Sequence, residues 1–422
     1  MHIQTDRAFV PAGSPAVRYL QVLISAPPQS PSAAAVRPPV SVALVLDRSG
    51  SMAGSKIDMA RAAVDHAVRL LKPTDHLAVV CYDDKITTVL DRTLATKEAK
   101  TLAARRLGDI DARGNTDLSG GWLRGSDLAK PASPGAGVSK VMLLTDGLAN
   151  RGVIDHDELV ATAKRLRAEG VATSTFGVGA DFDEDLLSRI ATEGGGHFYF
   201  IEKAQQIPDF FASELGETLE VVARDAVFEV ACDPGVEAMV LNGFTVEQVE
   251  GRQRVQLGNL VADQEITLIV AVAFKGSQSE GVTLGVHCRV EDRDHVLYPE
   301  PIGVSWRAVS AAEDAAQPVN TVVRLAVATL LAGRARSAAL AANRRGDFEG
   351  AKRIVRAIVD DLRALAPDDP QVRALIDQLH HDEMEFGEMM APMAMKAQHS
   401  VLYQAAHSRE AGGTARRTKR PR

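Results

Sequence analysis

The sequence predicts an α/β domain with a doubly wound, mostly parallel sheet, inserted in an antiparallel β-sandwich and followed by a small α-helical region. Three observations predict this. Residues 41 to about 220 alternate short apolar runs with amphipathic segments of helical length. Residues 221–310 hold short alternating runs separated by turn residues, and helical periodicity dominates from residue 319 onward. At 422 residues the chain is long enough for two or three domains, because single cores rarely exceed roughly 250 residues.

The first 38 residues contain two strand candidates, HIQTDRAFVPAG and RYLQVLISAPP, followed by a linker rich in Pro, Ala and Ser. An isolated pair of strands is unstable in water. We therefore expect residues 1–38 to supply strands to the sandwich formed by residues 221–310. The alternative is an independent flexible arm.

Residues 39–220 begin with SVALVLD, which has the continuous apolar character of a buried strand. KIDMARAAVDHAVRLLK follows with apolar residues at helical spacing, and HLAVVCYDD is again strand-like. The alternation continues as far as the helical segment QQIPDFFASELGETL. Apolar strands separated by helices are typical of a parallel sheet that is covered on both faces.

The remainder of the chain is divided by its periodicity. Runs such as EITLIVAVAFKG and GVTLGVHCRVED, between Gly and Asp turns, predict the sandwich over residues 221–310. Residues 319–405 predict a small helical bundle with breaks at GD and PDDP. The segment SREAGGTARRTKRPR is strongly basic and has almost nothing to bury, so residues 406–422 are predicted to be a disordered tail.

Composition limits the possible functions. The net charge of -7 argues against nucleic-acid binding, which usually requires a basic face. The cysteines, Cys81, Cys232 and Cys288, are few and widely spaced, as expected for reduced thiols. The N-terminus lacks the features of a signal peptide, and no stretch approaches 18 uninterrupted apolar residues. We expect a cytoplasmic protein that is not inserted in a membrane.

Oxygen-bearing side chains follow the ends of predicted strands in the α/β region. Asp47, Ser49 and Ser51 come after the first strand, Thr116 lies in GNTDLSGG, and Asp146 follows the strand KVMLLT. Ligands of open parallel sheets bind beyond the carboxyl ends of the strands, where distant loops meet. Carboxylates and hydroxyls suit a hard cation, with Mg²⁺ preferred here and Mn²⁺ or Ca²⁺ as alternatives.

This constellation resembles the metal-ion-dependent adhesion site (MIDAS) of von Willebrand factor type A (VWA) domains. The family pattern is DxSxS, then Thr in a G-x-T-x-(L/I) turn, then Asp in a T-D-G turn. All five positions are matched in order, and the resemblance covers residues 41 to about 220. It implies that the hydroxyls contact the metal directly, that the carboxylates often act through water, and that a partner's carboxylate fills an open position.

The plan of the whole chain is similar to bacterial intracellular VWA proteins with a β-sandwich and a C-terminal helical extension. We therefore expect a non-catalytic scaffold that recognises an Asp or Glu of a protein partner through the metal. One alternative is an accessory subunit of an AAA+ ATPase of chelatase type, or of a kinase and phosphatase assembly. Another alternative is a metal-dependent hydrolase. A phosphatase that uses Asp47 as its nucleophile would, however, need an acidic residue in place of Ser49.

Overall fold

The computed structural model describes residues 1–29, 37–131, 137–298 and 300–418. The chain divides into two compact units, which we call the α/β unit (residues 28–221) and the flanking unit (residues 1–27 and 222–422). The strands are β1 His2–Thr5, β2 Phe9–Pro11, β3 Ala16–Ser25, β4 Val40–Asp47, β5 His76–Tyr82, β6 Ile86–Leu94, β7 Val138–Thr145, β8 Val171–Val178, β9 Gly195–Ile201, β10 Val221–Cys232, β11 Val236–Val240, β12 Thr245–Val249, β13 Arg252–Val261, β14 Glu265–Phe274, β15 Thr283–Glu291 and β16 Ile302–Val309. The helices are α1 Ser55–Leu70, α2 Lys97–Gly108, α3 Leu118–Ala129, α4 His156–Ala168, α5 Glu184–Glu193, α6 Ile207–Leu219, α7 Ala311–Ala316, α8 Thr321–Arg344, α9 Phe348–Leu365, α10 Pro370–Phe386 and α11 Pro392–Ala406.

The α/β unit is built on a six-stranded sheet in the order β6-β5-β4-β7-β8-β9. Neighbouring strands are parallel except β5 and β6. Every residue of β4 and β7 is buried, as expected for central strands covered on both faces. From β4 the chain continues to β5 on one side, whereas β7 lies on the other side, so the winding reverses between β4 and β7. The predicted doubly wound α/β fold is therefore confirmed.

Two elements of this unit, β6 and α3, are absent from the sequence prediction. In β6 only Val89 and Leu90 are buried, because the strand lies at the sheet edge and pairs on one side. It therefore lacks the long apolar run that marks the central strands. α3 was missed because it contains glycines, which have low helix propensity.

The glycines of α3 allow the helix to lie close against the sheet. A Cβ atom on Gly121 would lie 2.4 Å from Cδ1 of the buried Tyr82, and one on Gly125 would lie 2.2 Å from Cγ2 of Val45. These distances are far inside van der Waals contact, so any larger residue would push the helix away. The same helix buries Trp122, whose indole N–H donates to Thr173 Oγ1 at 3.1 Å.

The flanking unit contains two sheets that share one apolar core. The four-stranded sheet has the order β1-β3-β14-β11, and the six-stranded sheet has the order β12-β13-β10-β15-β16-β2. β3 pairs with β14 along its whole length, from Ala16 opposite Phe274 to Ser25 opposite Glu265. The rings of Phe274 and Trp306 meet edge to face across the core, with centroids 5.4 Å apart. Strands from the N-terminal 27 residues thus lie in both sheets.

The N-terminal segment forms three strands instead of the two expected, because the chain changes sheets after Thr5. Asp6 is buried at the break, and its carboxylate accepts a hydrogen bond from the Tyr19 N–H at 2.9 Å. Gln317 Oε1 accepts from the N–H groups of Ala8 and Phe9, at 2.9 and 2.8 Å. The side chains of Asp6 and Gln317 thus provide hydrogen-bond partners for backbone N–H groups near the point where the chain passes from one sheet to the other.

The C-terminal helices pack around α8, which contacts α9, α10 and α11. Within the part of the chain that the structure describes, α8 is the single helix with the length and apolar composition to cross a membrane. Its small residues Ala328, Ala332 and Ala339 are fully buried in the core of the bundle. Length and composition alone are weak evidence for a membrane span, since a core helix has the same properties.

The prediction of a disordered tail from residue 406 is wrong for residues 406–418, since Ala406 ends α11 and the residues after it are ordered. Arg416 accepts a backbone hydrogen bond from Glu265 at 2.8 Å, and the Thr418 N–H donates to the Asp263 carbonyl at 2.9 Å. Arg409 is buried, and its Nε donates to the Gly413 carbonyl at 2.6 Å. Backbone pairing at the start of β14 therefore orders a segment with few apolar residues. Residues 30–36 of the predicted linker and 419–422 of the tail lie outside the described residues.

We expect Gly125→Ala to lower the free energy of unfolding by about 1–3 kcal/mol, because the added methyl group would overlap Val45. The matched control is Gly216→Ala in α6, where a Cβ would meet nothing within 4 Å. This control should raise the stability by up to about 1 kcal/mol through helix propensity. Urea unfolding followed by circular dichroism measures both, and equal effects of the two substitutions would contradict the close packing of α3.

Candidate metal site

The five predicted site residues lie at the carboxyl ends of the parallel strands, where the winding reverses between β4 and β7. We call this end of the sheet the edge that carries the candidate metal site. Asp47 is the last residue of β4, and Ser49 and Ser51 lie in and beside the 3-10 turn Gly50–Met52 that follows it. Asp146 comes directly after β7, the parallel neighbour of β4. Thr116 precedes Asp117, the residue that caps α3. The fold therefore delivers these side chains from three separate segments to the same edge.

Asp47 is fully buried and both of its carboxylate oxygens accept hydrogen bonds. Ser49 N–H donates to Oδ1 at 2.7 Å, and the Thr145 hydroxyl donates to Oδ2 at 2.7 Å. The first bond closes the turn after β4, and the second connects β4 to the end of β7. The carboxylate is thus held in one orientation by the two strands that flank the reversal.

A chain of hydroxyl contacts connects the DxSxS turn to Asp146. Ser49 Oγ and Ser51 Oγ are 3.1 Å apart, and Ser51 Oγ donates to Asp146 Oδ1 at 2.7 Å. The other oxygen, Asp146 Oδ2, accepts from Lys56 Nζ at 2.5 Å. Four of the five predicted residues therefore form one connected network, with an ammonium group at its end.

Thr116 lies close to the same network at Gly147. A Cβ atom on Gly147 would lie 3.7 Å from both Ser51 Oγ and Thr116 Oγ1, so both hydroxyls lie near this position. The backbone of Thr116 is fixed by Asn150, whose side-chain Oδ1 accepts from the Thr116 N–H at 2.9 Å. The Thr116 carbonyl in turn accepts from the N–H groups of Asn150 and Arg151. The loop after β7 thus positions the threonine as well as the aspartate.

The electrostatics of the site suit a divalent cation. The pKa of Asp47 is raised to about 6, mainly by burial and to a smaller extent by the negative charge of Asp146, although hydrogen bonds from Thr145 and Ser49 lower it. A buried carboxylate with a raised pKa lacks a compensating positive charge. Two carboxylates and three hydroxyls provide oxygen ligands alone, the donors that Mg²⁺, Mn²⁺ and Ca²⁺ prefer. The five residues therefore fit such an ion.

Sequence reasoning missed Lys56 and Thr145, which bond the two carboxylates. It also missed Asn150, which fixes the backbone of Thr116, and Gly147, which lies beside the hydroxyls. Lys56 lies in the first turn of α1, five residues after Ser51, and Thr145 and Gly147 flank Asp146 in the sequence TDG. The TDG motif carried a signal for Thr145, because a hydroxyl before a strand-end aspartate can reach the neighbouring strand. The pairing of Lys56 with Asp146 had no signal in the spacing alone.

Asp83, at the end of the neighbouring strand β5, is committed to other partners. Its Oδ2 accepts from Arg113 Nε at 2.8 Å and also pairs with Arg48, while its Oδ1 accepts from the Lys85 N–H at 2.6 Å. Burial raises the pKa of Asp83, but these hydrogen bonds and charges outweigh it and hold the pKa below its usual value. Asp83 therefore braces the loop that carries Thr116.

Another group of titratable side chains, His197, Glu214 and Glu217, brings potential ligand atoms within 4.8 Å of one another in the α/β unit. Glu214 is fully buried and pairs with Lys140 Nζ at Oε1. Its Oε2 accepts from the Tyr199 hydroxyl at 2.5 Å and lies 3.0 Å from His197 Nδ1. The charge and lone pairs of Glu214 are thus used within the protein, and the group anchors α6 to the sheet.

The strand order defines the α/β unit as a doubly wound domain, with oxygen-bearing side chains where the winding reverses. Residues 41–213 match the sequence model of the von Willebrand factor type A domain, so the chain contains a VWA domain. Domains of this family commonly mediate protein–protein interactions and generally bind a divalent cation at the MIDAS. The predicted membership in this family is confirmed for the α/β unit.

Comparisons with individual proteins extend beyond this domain. The uncharacterized protein YfbK of Escherichia coli strain K12 is 26% identical over 249 residues, which cover 57% of this chain and 43% of YfbK. The chain spans about half the length of the curated relatives it matches. A von Willebrand factor type A protein from Catenulispora acidiphila superposes with a TM-score of 0.69 at 16% identity, covering 90% of this chain and 88% of that one. The ArnB paralog VWA2 from Sulfolobus acidocaldarius gives 0.58 at 16% identity, with 93% and 97% covered. These two structures share the fold over nearly the whole chain.

We expect the apparent affinity for Mg²⁺ to fall about tenfold between pH 7 and pH 5, because the ion requires the ionised form of Asp47, whose pKa is about 6. Isothermal titration calorimetry at the two pH values measures this, and Thr116→Ser, which keeps the hydroxyl, should retain the dependence. An affinity independent of pH would show that Asp47 is ionised without the metal.

In EDTA the free energy of unfolding is expected to change with pH in the opposite direction. A pKa raised in the folded state means that wild type loses stability relative to Asp47→Asn as the pH rises from about 4 to about 6.

Proposed function

We propose that the VWA domain binds Mg²⁺ through Asp47, Ser49, Ser51, Thr116 and Asp146, and that a protein partner supplies an Asp or Glu carboxylate to the metal. Mn²⁺ and Ca²⁺ are the alternative ions. The observation that carries the proposal is the connected network of two buried carboxylates and adjacent hydroxyls at the reversal between β4 and β7. In this proposal the protein is a non-catalytic, metal-dependent scaffold.

The charge of the site supports an anionic ligand. Two carboxylates, the Lys56 ammonium and one divalent ion together carry a net charge of +1. Asp47 and Asp146 are both fully buried, so their charges are poorly screened by solvent and act strongly on a nearby ion. A carboxylate from outside would neutralise the remaining positive charge, and Mg²⁺ readily keeps positions for incoming ligands.

The groups around the site support binding over catalysis. Both oxygens of Asp47 are held by hydrogen bonds from Ser49 and Thr145, which restrains the carboxylate from attacking a substrate. Cys81 lies on the neighbouring strand β5, where burial raises the pKa of the thiol to about 12. It therefore stays protonated at neutral pH and is a poor nucleophile.

The state of the cysteines supports a cytoplasmic location. Cys81, Cys232 and Cys288 all lie in the described part of the chain and form no disulfides. Cys81 and Cys288 are buried, as is typical of reduced structural thiols. We propose a soluble scaffold in the cytoplasm in which the VWA domain, inserted in a β-sandwich, presents the metal to its partner.

We expect Asp47→Ala and Thr116→Ala each to weaken Mg²⁺ binding at least tenfold in calorimetry, because each removes an oxygen ligand. Both should also lose the proteins that wild type recovers from a native lysate in Mg²⁺ and releases in EDTA. The matched controls are Asp185→Ala and Thr101→Ala, exposed residues on α5 and α2 that lie outside the site. They should behave as wild type. Recovery of the same proteins by all variants, with and without EDTA, would contradict metal-mediated recognition.

A further inference from the structure

The flanking unit contains an open groove with a volume of about 870 Å³ between α8, the end of α11 and the turn after β11. One wall is a stripe of α8 that runs from Val322 to Ser337, a length of roughly 22 Å at the rise of an α-helix. The opposite wall includes Met239 and Ile269. The volume falls in the range of small-molecule sites, roughly 300–1,000 Å³.

The lining of the groove is apolar in effect, although it includes polar residues. On α8, Thr329 Oγ1 donates to the Leu325 carbonyl at 2.9 Å and Ser337 Oγ donates to the Gly333 carbonyl at 3.1 Å. Both polar atoms of the Asn242 side chain form hydrogen bonds, since Nδ2 donates to the Thr267 carbonyl and Oδ1 accepts from the Ile269 N–H. These groups bond within the protein and have little left for a ligand.

The face of α8 toward the groove is only partly covered, since Ala326 and Leu330 pack against a cluster that includes Ile269 and other apolar side chains stay exposed. Val322 is 62% exposed, and Met239 on the opposite wall is 53% exposed. The other face of α8 packs its alanines into the helical bundle. Exposed apolar side chains that line a groove of this size are typical of ligand-binding sites.

Two arginines line the groove, Arg334 on α8 and Arg416, and Nε of Arg416 lies 3.7 Å from the Glu410 carboxylate. Arg334 lies in the stripe, is exposed, and donates from Nη1 to the Leu241 carbonyl at 3.3 Å. Among the residues that the structure describes, it forms no ion pair with a carboxylate. A guanidinium has five N–H donors, so Arg334 keeps donors for a second, anionic group.

We propose that this groove binds a free monocarboxylate amphiphile, of which fatty acids are the simplest class. The hydrocarbon chain lies along the stripe of α8, where it covers Val322, Thr329 and Leu330. The carboxylate pairs with Arg334 in a charge-assisted hydrogen bond. This site lies in the flanking unit and is independent of the metal site.

The experiment uses the full chain and saturated fatty acids from octanoate to dodecanoate, at concentrations below micelle formation, in calorimetry. Affinity should rise about fourfold for each added methylene, because each buries the same increment of apolar surface. Arg334→Met should weaken dodecanoate about tenfold while leaving dodecanol, which lacks the anion, unchanged. Thr329→Trp, an exposed position in the groove, should remove binding of both.

The matched control is Arg353→Met, which removes an exposed arginine of α9 outside the groove and should leave all affinities unchanged. Thermal unfolding of each variant shows that it is folded. The proposal is overturned if dodecanoate does not bind saturably, if Thr329→Trp binds it as wild type does, or if the protein binds only phosphatidylglycerol vesicles and not the free acid.

Discussion

Two carboxylates that end adjacent parallel strands set the constraint on which the VWA domain depends. Asp47 and Asp146 are both removed from solvent, and a buried charge is costly unless other groups compensate it. The compensation comes from Thr145, from the serines of the turn after β4 and from Lys56. Each of these groups lies at the end of a strand, in the turn after it or at the start of a helix. The strand arrangement therefore places the groups that compensate the two buried charges.

The arrangement of the strands follows from the same constraint. β4 and β7 must be neighbours for Thr145 to reach Asp47, and the reversal of winding at this point leaves the edge open to a ligand. The glycines of α3 bring that helix close to β4 and β5, and the loop before α3 carries Thr116 to the edge. The close packing of α3 against the sheet therefore also sets the position of Thr116 at the candidate metal site.

The sequence was informative where local pattern and tertiary position agree. The apolar runs of β4 and β7 identify buried parallel strands, and the oxygen-bearing residues at their ends predict the candidate metal site. β6 and α3 were missed because their stability comes from contacts that periodicity does not record, a one-sided edge pairing and a close approach through glycine. The ordered segment after α11 was missed for a related reason, since backbone pairing with β14 involves no side-chain pattern. Lys56 could be placed in a helix from the sequence, but its ion pair with Asp146 depends on the geometry of the fold.

The pairing of β3 with β14 has a consequence for the order in which the protein forms on the ribosome. Ser25 pairs with Glu265, 240 positions later, and at translation rates of about 5–20 residues per second this separation lasts roughly 12 to 48 seconds. During that time the chain of the VWA domain is synthesised, while β3 can pair with β1 but not yet with β14. One edge of β3 therefore stays open to incorrect pairing until the sequence of β14 has been made.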